Sequence, residues 1–152
     1  MFKAGDKAPE FRALDHEGKE VTLKGLLAGG KRVILYFYPK DNTPGCTTEA
    51  CDFRDRVELV GKKGAVVVGV SPDSASSHVG FREKYNLPFM LISDPDRLVA
   101  TAYGAYGEKT SYGKTTMGII RSTFVIGPDG RIEKAMYGVK ATGHAEQVVN
   151  EL

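Results

Sequence analysis

The stretch that decides the fold is RVILYFYPKDNTPGCTTEAC, residues 32–51. Its first part, as far as Tyr38, is an unbroken apolar, β-branched and aromatic run, which is typical of a strand covered on both faces. Pro39 ends this strand. From Thr43 onward the pattern becomes helical. The stretch therefore predicts a buried strand that leads through a short loop into a helix.

The rest of the chain continues as alternating strand and helix patterns. Apolar residues at helical spacing predict a single helix from Thr43 to about Val60. The segment from Tyr103 to Met117 is rich in glycine and has no periodicity, which predicts a loop. The other predicted elements are an N-terminal hairpin around residues 17–19, strands at 65–70 and 90–92, helices at 75–85 and from Pro95 to about Tyr103, a hairpin of strands 122–126 and 132–137, and a helix over 144–152.

This order of elements predicts the fold class. Strand, helix, strand and helix, followed by a hairpin and a helix, make a βαβ unit plus a ββα unit. We therefore expect an α/β, thioredoxin-like sandwich with a mixed central β-sheet flanked by helices and preceded by an N-terminal β-hairpin. Because residues 1–152 contain no internal repeat, linker or low-complexity stretch, we expect them to form a single domain.

Composition and charge exclude several classes of protein. The chain is 41% hydrophobic and 26% charged, which is ordinary for a globular protein. Its net charge of +2 argues against nucleic acid as a partner, because such a surface needs clustered positive charge. No stretch approaches the ~18 consecutive apolar residues of a membrane span, and residues 1–6 lack the apolar region of a secretory signal. With two cysteines in all, we expect a cytoplasmic protein whose thiols are catalytic or metal-binding rather than structural.

Cys46 lies where a helix start would favour its ionised form. Thr43 is a preferred N-cap residue and Pro44 a preferred first helical residue, so Cys46 falls three positions after the cap. Free backbone N–H groups and the positive end of the helix dipole stabilise a negative sulfur at this position. We therefore expect Cys46 to be a nucleophilic thiolate. The alternative is a small buried residue that only fills the first helical turn.

The spacing of the two cysteines decides how they could react with each other. Along a helix, Cys46 and Cys51 differ by about 7.5 Å of rise and point about 140° apart. A disulfide needs Cα atoms within about 7 Å, so the first turn or more must unwind before the two can bond. We expect an oxidant to convert Cys46 to a sulfenic acid, Cys51 to condense with it, and an outside dithiol to reduce the disulfide. For Cys51, too, a core position in the helix is the alternative.

The residues around Cys46 resemble those of the peroxiredoxins, specifically the bacterioferritin comigratory protein or PrxQ type. The family pattern Pro-x-x-x-Thr-x-x-Cys is met by Pro39, Thr43 and Cys46. The resemblance spans nearly the whole chain, since further similar segments are Gly69-Val70-Ser71, Leu87-Pro88-Phe89, Ser93-Asp94-Pro95 and Gly118-Ile119-Ile120-Arg121-Ser122-Thr123-Phe124.

The resemblance implies a thiol-dependent peroxidase with an atypical two-cysteine mechanism. Cys46 would be the peroxidatic cysteine and Cys51 the resolving one, joined in an intramolecular disulfide. Thr43 would contact the peroxide and the thiolate, and Pro39 would shield the site from water. Arg121 would hold the thiolate and polarise the O–O bond, although a strand-flanking arginine is, by itself, usually a solvated residue.

Further expectations come from the same resemblance. Glu49 would pair with Arg121. The substrates would be hydrogen peroxide and organic hydroperoxides, reduced without metal or other cofactor. Thioredoxin or a similar dithiol would be the reductant, and the protein would be a monomer.

Three other functions remain open from the residues themselves. A thiol–disulfide exchange protein would need a C-x-x-C motif and would gain nothing from Arg121. A metal-binding module would need the two cysteines to converge with His16, His78 and His144, which we expect at the surface. A thioredoxin-like binding protein without catalysis would leave Thr43 unexplained.

Overall fold

The computed structural model describes residues 1–152, apart from the side chain of Ser111. The strands are β1 (Arg12–Asp15), β2 (Glu20–Thr22), β3 (Arg32–Phe37), β4 (Ala65–Ser71), β5 (Met90–Ser93), β6 (Tyr106–Ser111), β7 (Lys114–Ile119), β8 (Ser122–Ile126) and β9 (Ile132–Tyr137). The helices are α1 (Leu23–Leu27), α2 (Pro44–Arg54), α3 (Val57–Lys62), α4 (Ala75–Tyr85), α5 (Leu98–Ala102) and α6 (His144–Asn150). Within the described chain, none of these helices has the length and apolar character needed to cross a membrane.

A mixed seven-stranded sheet forms the centre of the structure, in the order β2-β1-β5-β4-β3-β8-β9. β3, β4 and β5 pair in parallel. On one side β8 joins β3 antiparallel and β9 joins β8, and on the other side β1 joins β5 antiparallel. The N-terminal hairpin is formed by β1 and β2. The predicted α/β class, with a mixed sheet flanked by helices, is confirmed.

The central strand β3 is covered on both faces, as its sequence predicts. Val33, Leu35 and Phe37 belong to one hydrophobic cluster, which includes side chains of α1 and α5. Ile34 and Tyr36 belong to a second cluster, which includes side chains of α2, α3, α4 and α6. All five residues are 0% exposed. The carboxyl end of β3 therefore opens directly onto the layer of helices that contains α2.

The helical pattern after Thr43 forms two helices rather than the single helix that was predicted. α2 ends at Arg54 and α3 begins at Val57. Between them, Arg56 leaves the helical region with φ −113° and ψ 4°. The apolar spacing continues across this break, because Phe53 and Val60 both pack into the same cluster. A hydrophobic pattern alone cannot reveal such a break.

The segment from Tyr103 to Met117, predicted as a loop, is largely a β-hairpin. β6 and β7 pair antiparallel with each other and form a separate two-stranded sheet. Residues 114–117 of β7 are all exposed, so this strand lacks the alternation of apolar and polar residues by which strands are recognised. In addition, α1 was not predicted, and α5 begins at Leu98 rather than at Pro95.

We expect Gly69→Ala to destabilise the protein. Gly69 lies in β4, and a Cβ there would come within 2.8 Å of Leu91 Cδ2 and 3.0 Å of Tyr36 Cζ. Both neighbours are 0% exposed and cannot move freely, so the free energy of unfolding should fall by about 1–3 kcal/mol. Urea denaturation measures this change.

The matched control is Gly80→Ala in α4. There a Cβ meets no atom of the described structure within 4 Å, and alanine favours a helix by ~1 kcal/mol over glycine. This variant should be neutral or more stable than the original chain. Equal stabilities of the two variants would contradict the prediction.

Candidate active site

Cys46 lies in the first turn of α2, at the carboxyl end of β3. Thr43 is the N-cap residue, with extended backbone angles of φ −92° and ψ 156°, and Pro44 follows as the first helical residue. The predicted helix start is therefore confirmed. Cys46 is only 1% exposed and packs in the cluster that also contains Tyr36.

Thr43 marks the helix start through its backbone and not through its hydroxyl. The hydroxyl donates to the carbonyl oxygen of Lys40 at 3.0 Å. Within the described residues, the Thr43 side chain accepts no hydrogen bond from a backbone N–H of α2. An N-cap threonine usually accepts one. The N–H groups of the first turn thus remain available to stabilise negative charge beside Cys46.

The structure brings Arg121 to the cysteine. β8 pairs antiparallel with β3, with Ser122 opposite Phe37, so Arg121 falls at the carboxyl end of β3. Its Nη2 donates to Cys46 Sγ at 3.3 Å, and its Nη1 donates to Glu49 Oε1 at 2.6 Å. One guanidinium therefore bridges two side chains of α2.

Burial shapes the charge of this bridge. Glu49 is 0% exposed, and the loss of water raises its pKa to about 7, although the positive charge of Arg121 partly opposes this shift. Burial alone would lower the pKa of Arg121, but the neighbouring Glu49 carboxylate and Cys46 sulfur reverse the effect and raise it. Arg121 thus stays charged, while Glu49 can exchange a proton near neutral pH.

Two buried oxygen atoms beside the bridge lack a hydrogen-bond partner among the described residues. They are Glu49 Oε2 and the hydroxyl of Tyr36. Burial, followed by the nearby charge of Glu49, raises the pKa of Tyr36 well above its usual value. The Tyr36 phenol is therefore neutral at physiological pH.

Cys51 lies farther along the same helix and is half-buried. Both cysteines are free, and α2 is intact across them. The arrangement agrees with the geometric expectation that the two sulfurs cannot meet while the helix is closed. The structure thus represents the reduced state of the pair.

Pro39 is half-buried between the end of β3 and a cleft of about 460 Å³. The β6–β7 hairpin contributes Tyr106, Lys109 and residues 116–119 to the lining of this cleft, which is completed by Pro72 and Arg97. Ile119 is followed closely in the chain by Arg121. The cleft therefore lies between two segments that carry predicted site residues.

His78 and His144 are buried and the side chain of His16 is only 10% exposed, so the expectation of surface histidines was wrong. His78 Nδ1 lies 2.7 Å from Asp41 Oδ2, and its Nε2 lies 2.9 Å from the carbonyl oxygen of Ile92. His78 shares the buried face of α4 with Phe81, and their spacing of three residues was the sequence signal that could have revealed it.

His144 is the other buried histidine. Its Nε2 lies 2.7 Å from the hydroxyl of Thr123, which is in β8. Burial, with a smaller contribution from the charge of Arg121, lowers the pKa of His144 to about 4. It is therefore neutral at physiological pH. Sequence reasoning missed this contact because it depends on how α6 packs against the sheet.

The described residues bring no histidine into a ligand group with either cysteine. The group of possible metal ligands that they do form consists of Asp41, Asp73 and His78. Both ring nitrogens of His78 already face hydrogen-bond partners. This geometry gives no support to a zinc site built from cysteine and histidine.

Comparisons with known proteins agree on one family. The sequence pattern of the AhpC/TSA family matches residues 4–135. A relative from Mycobacterium tuberculosis is 53% identical over 148 residues, covering 97% of this chain and 93% of the relative. Peroxiredoxin Bcp of Bacillus subtilis is 46% identical over 151 residues, covering 99% and 95%. The bacterioferritin comigratory protein of Xanthomonas campestris superposes with a TM-score of 0.86 at 40% identity, covering 93% of this chain and 88% of that one.

We expect the reactivity of Cys46 to report the protonation of Glu49. Below about pH 7 Glu49 takes up a proton, so its negative charge no longer opposes a thiolate held by the same guanidinium. In a Cys51→Ser background, the rate of Cys46 alkylation by iodoacetamide should therefore rise less steeply with pH above about pH 7, where Glu49 is ionised, than below it. Adding Glu49→Gln should remove this inflection.

Glu58→Gln serves as the control, because Glu58 is an exposed residue of α3 whose partner is Lys62. It should keep the inflection. A profile that is identical with and without Glu49→Gln would show that Glu49 does not titrate in this range.

Proposed function

This chain belongs to the AhpC/TSA family, and from that membership we propose that Cys46 is the cysteine that attacks a hydroperoxide. The chain is a peroxiredoxin, a thiol-dependent peroxidase. The observation that carries the role of Cys46 is the hydrogen bond of 3.3 Å from Arg121 to its sulfur, at the start of a helix. Cys51 makes no such contact with an arginine among the described residues.

In the proposed first step, the Cys46 thiolate attacks one oxygen of the O–O bond. An S–O bond forms and the O–O bond breaks. The second oxygen leaves with the electron pair and takes up a proton, giving water or an alcohol. Cys46 is oxidised by two electrons to a sulfenic acid, and the hydroperoxide is reduced.

The neighbouring residues would assist this step in different ways. Arg121, already bonded to the sulfur, would stabilise both the thiolate and the charge that develops on the O–O bond. Glu49 would fix the guanidinium through its short hydrogen bond. The Thr43 hydroxyl would have to turn from the Lys40 carbonyl to reach the peroxide, and Pro39 would limit access of water.

We propose Cys51 as the resolving cysteine. Cys51 would give up its thiol proton and its sulfur would attack the Cys46 sulfur, so that an S–S bond forms as the S–O bond breaks, and the leaving hydroxide would take up that proton to become water. Because α2 spans both residues, part of the helix must unwind first. An outside dithiol, which we propose to be thioredoxin or a similar protein, would restore both thiols by exchange.

The cleft beside Pro39 supports organic hydroperoxides as substrates in addition to hydrogen peroxide. Its volume of about 460 Å³ and the apolar side chains of Tyr106, Met117 and Ile119 suit an apolar group attached to the peroxide, and Arg97 and Lys109 make another part of the lining basic. The Xanthomonas campestris protein is described as having alkyl peroxide reduction activity. We propose the same breadth for this chain.

We further propose that residues 1–152 work as one peroxiredoxin domain, as a monomer in the cytoplasm. The seven-stranded sheet supports one domain, since its strands span residues 12–137. Cys46, Glu49 and Arg121 contact one another within one chain, so this contact needs no residue of a second subunit, which agrees with a monomer. Two free cysteines suit a reducing compartment.

Cys46→Ser should abolish peroxide reduction, because the attacking sulfur is gone. In the Cys51→Ser variant, hydrogen peroxide should still oxidise the Cys46 thiol in the first reaction. Thioredoxin should no longer reduce the oxidised variant, because no disulfide can form. Thiol counting after one equivalent of peroxide, together with steady-state NADPH oxidation coupled to thioredoxin reductase, separates the two steps.

Mass analysis of the linked peptide provides the positive control, since the original chain should yield a disulfide between Cys46 and Cys51. Near-normal turnover in Cys46→Ser would rule out the mechanism. An unchanged steady-state rate in Cys51→Ser would remove that residue from the resolving role alone.

The cleft makes a separate prediction about substrate preference. Met117→Gln keeps the size of the side chain but makes the wall of the cleft polar. The ratio of kcat/KM for cumene hydroperoxide to that for hydrogen peroxide should fall about fivefold, as expected for losing ~1 kcal/mol of apolar contact. The control is Tyr112→Gln, at the exposed turn of the hairpin, which should leave the ratio unchanged. Equal ratios in the two variants would contradict the proposal that the cleft binds the organic group of the substrate.

A further inference from the structure

Both ends of α2 are tied to the same neighbouring helix, α4. At the N-terminal end, Asn42 Oδ1 accepts hydrogen bonds from the Tyr85 hydroxyl at 3.1 Å and from Lys84 Nζ at 3.3 Å. At the C-terminal end, Arg54 Nη1 donates to the carbonyl oxygen of Tyr85 at 2.7 Å. Tyr85 therefore contacts the residues on both sides of the segment that carries the two cysteines.

A buried network strengthens the N-terminal attachment. The Asp41 carboxylate accepts hydrogen bonds from Tyr38 at 2.5 Å and from Ser77 at 2.8 Å, and its side chain is only 3% exposed. The Asp41 N–H donates to Asp73 Oδ2 at 2.7 Å. Breaking such buried bonds is costly, because each unpaired group would lose its partner without regaining water.

His78 of α4 completes this network. Its Nε2 faces the carbonyl oxygen of Ile92, which can only accept, so that nitrogen carries a hydrogen. Its Nδ1 lies 2.7 Å from Asp41 Oδ2. The imidazole is fixed at both nitrogens and joins the loop before α2 to the body of α4.

The C-terminal attachment has a second component. Phe53 is 0% exposed, and its ring centroid lies 4.8 Å from that of Tyr36 in the core. After Arg54 the chain leaves α2, and α3 starts as a separate helix at Val57. An unwinding that begins at Thr43 therefore meets a buried aromatic residue and then a helix break.

We infer that α4 is a fixed frame that confines the opening of α2 to residues 43–52. This inference rests on the proposed Cys46–Cys51 disulfide. Asp41 and Asn42 on one side, and Arg54 on the other, act as positioning residues that keep their bonds to α4 while the segment between them unwinds.

The frame has a consequence for resolution. A short segment with fixed ends keeps Cys51 near Cys46, because a segment held at both ends has fewer conformations to sample before the two sulfurs meet than one that is free at one end. Without an anchor, the disordered segment would lengthen and the disulfide would close more slowly.

Hydrogen–deuterium exchange followed by mass spectrometry tests the limits of the opening. The reduced protein is compared with protein oxidised by one equivalent of hydrogen peroxide. The amides of residues 47–52, the first of which is bonded to the Thr43 carbonyl oxygen in the closed helix, should lose protection on oxidation, whereas those of α3 and α4 should keep it. A disulfide accompanied by loss of protection through α3 would overturn the frame alone, while absence of the disulfide would overturn both the resolving role of Cys51 and this inference.

Two variants remove the attachments one at a time. Tyr85→Phe deletes the hydroxyl that binds Asn42 but keeps the ring and the carbonyl, and Arg54→Gln deletes the bond to that carbonyl. In the oxidised state, loss of protection should spread toward residues 38–42 in the first variant and into α3 in the second. The rate of disulfide formation should fall about two- to fivefold. This rate is measured by stopping the reaction at successive times with an alkylating reagent and counting the thiols that remain.

The controls are Tyr112→Phe and Arg12→Gln, the same substitutions at exposed positions far from α4 in the chain. They should match the original chain in both measurements. In the reduced state, all four variants should show the same exchange pattern as the original chain. This result would exclude a general loss of stability as the cause of the changes seen after oxidation. If the amides of oxidised Tyr85→Phe and Arg54→Gln exchange at the same rates as those of their controls, the inference is overturned.

Discussion

The contact between Arg121 and α2 is the interaction on which the site depends. It joins residues that are 72 and 75 positions apart in the chain, and it exists because β8 pairs with β3 in one particular register. A shift of that register by one residue would turn Arg121 to the other face of the sheet. The surroundings of Cys46 therefore depend on the pairing of the whole sheet and not on the local motif alone.

This interaction also places strong demands on the core. Removing one partner of a buried ion pair typically costs ~3–5 kcal/mol, because the other charge is left without compensation. Glu49 reduces this demand by holding a pKa of about 7, so it can become neutral inside the protein. Arg121 stays charged, and its guanidinium donates hydrogen bonds both to Glu49 and to the Cys46 sulfur. The cost of burying the guanidinium is thus shared between an acid and a thiol.

The parts of this protein that could be predicted from sequence are those with local causes. The unbroken apolar run of β3 and the Thr43-Pro44 helix start each depend on neighbouring residues, and both were predicted at the right positions. The α2–α3 break at Arg56 could not be predicted, since the apolar spacing passes through it unchanged. Burial of His78 and the distance from Arg121 to Cys46 depend on tertiary packing, which composition and spacing do not report. The resemblance to peroxiredoxins suggested the roles of Arg121 and Glu49, and only the fold supplies their distances.

The β6–β7 hairpin pairs with no other strand within the described residues, so each of its outer edges offers unpaired backbone groups to the solvent. Open edges of this kind invite strands of other molecules to add to them, which is a common route to aggregation. Lys109 and Lys114 stand on these two strands, and charged side chains at an edge oppose such addition. The lysines of this hairpin therefore oppose edge-to-edge pairing with the hairpin of another copy.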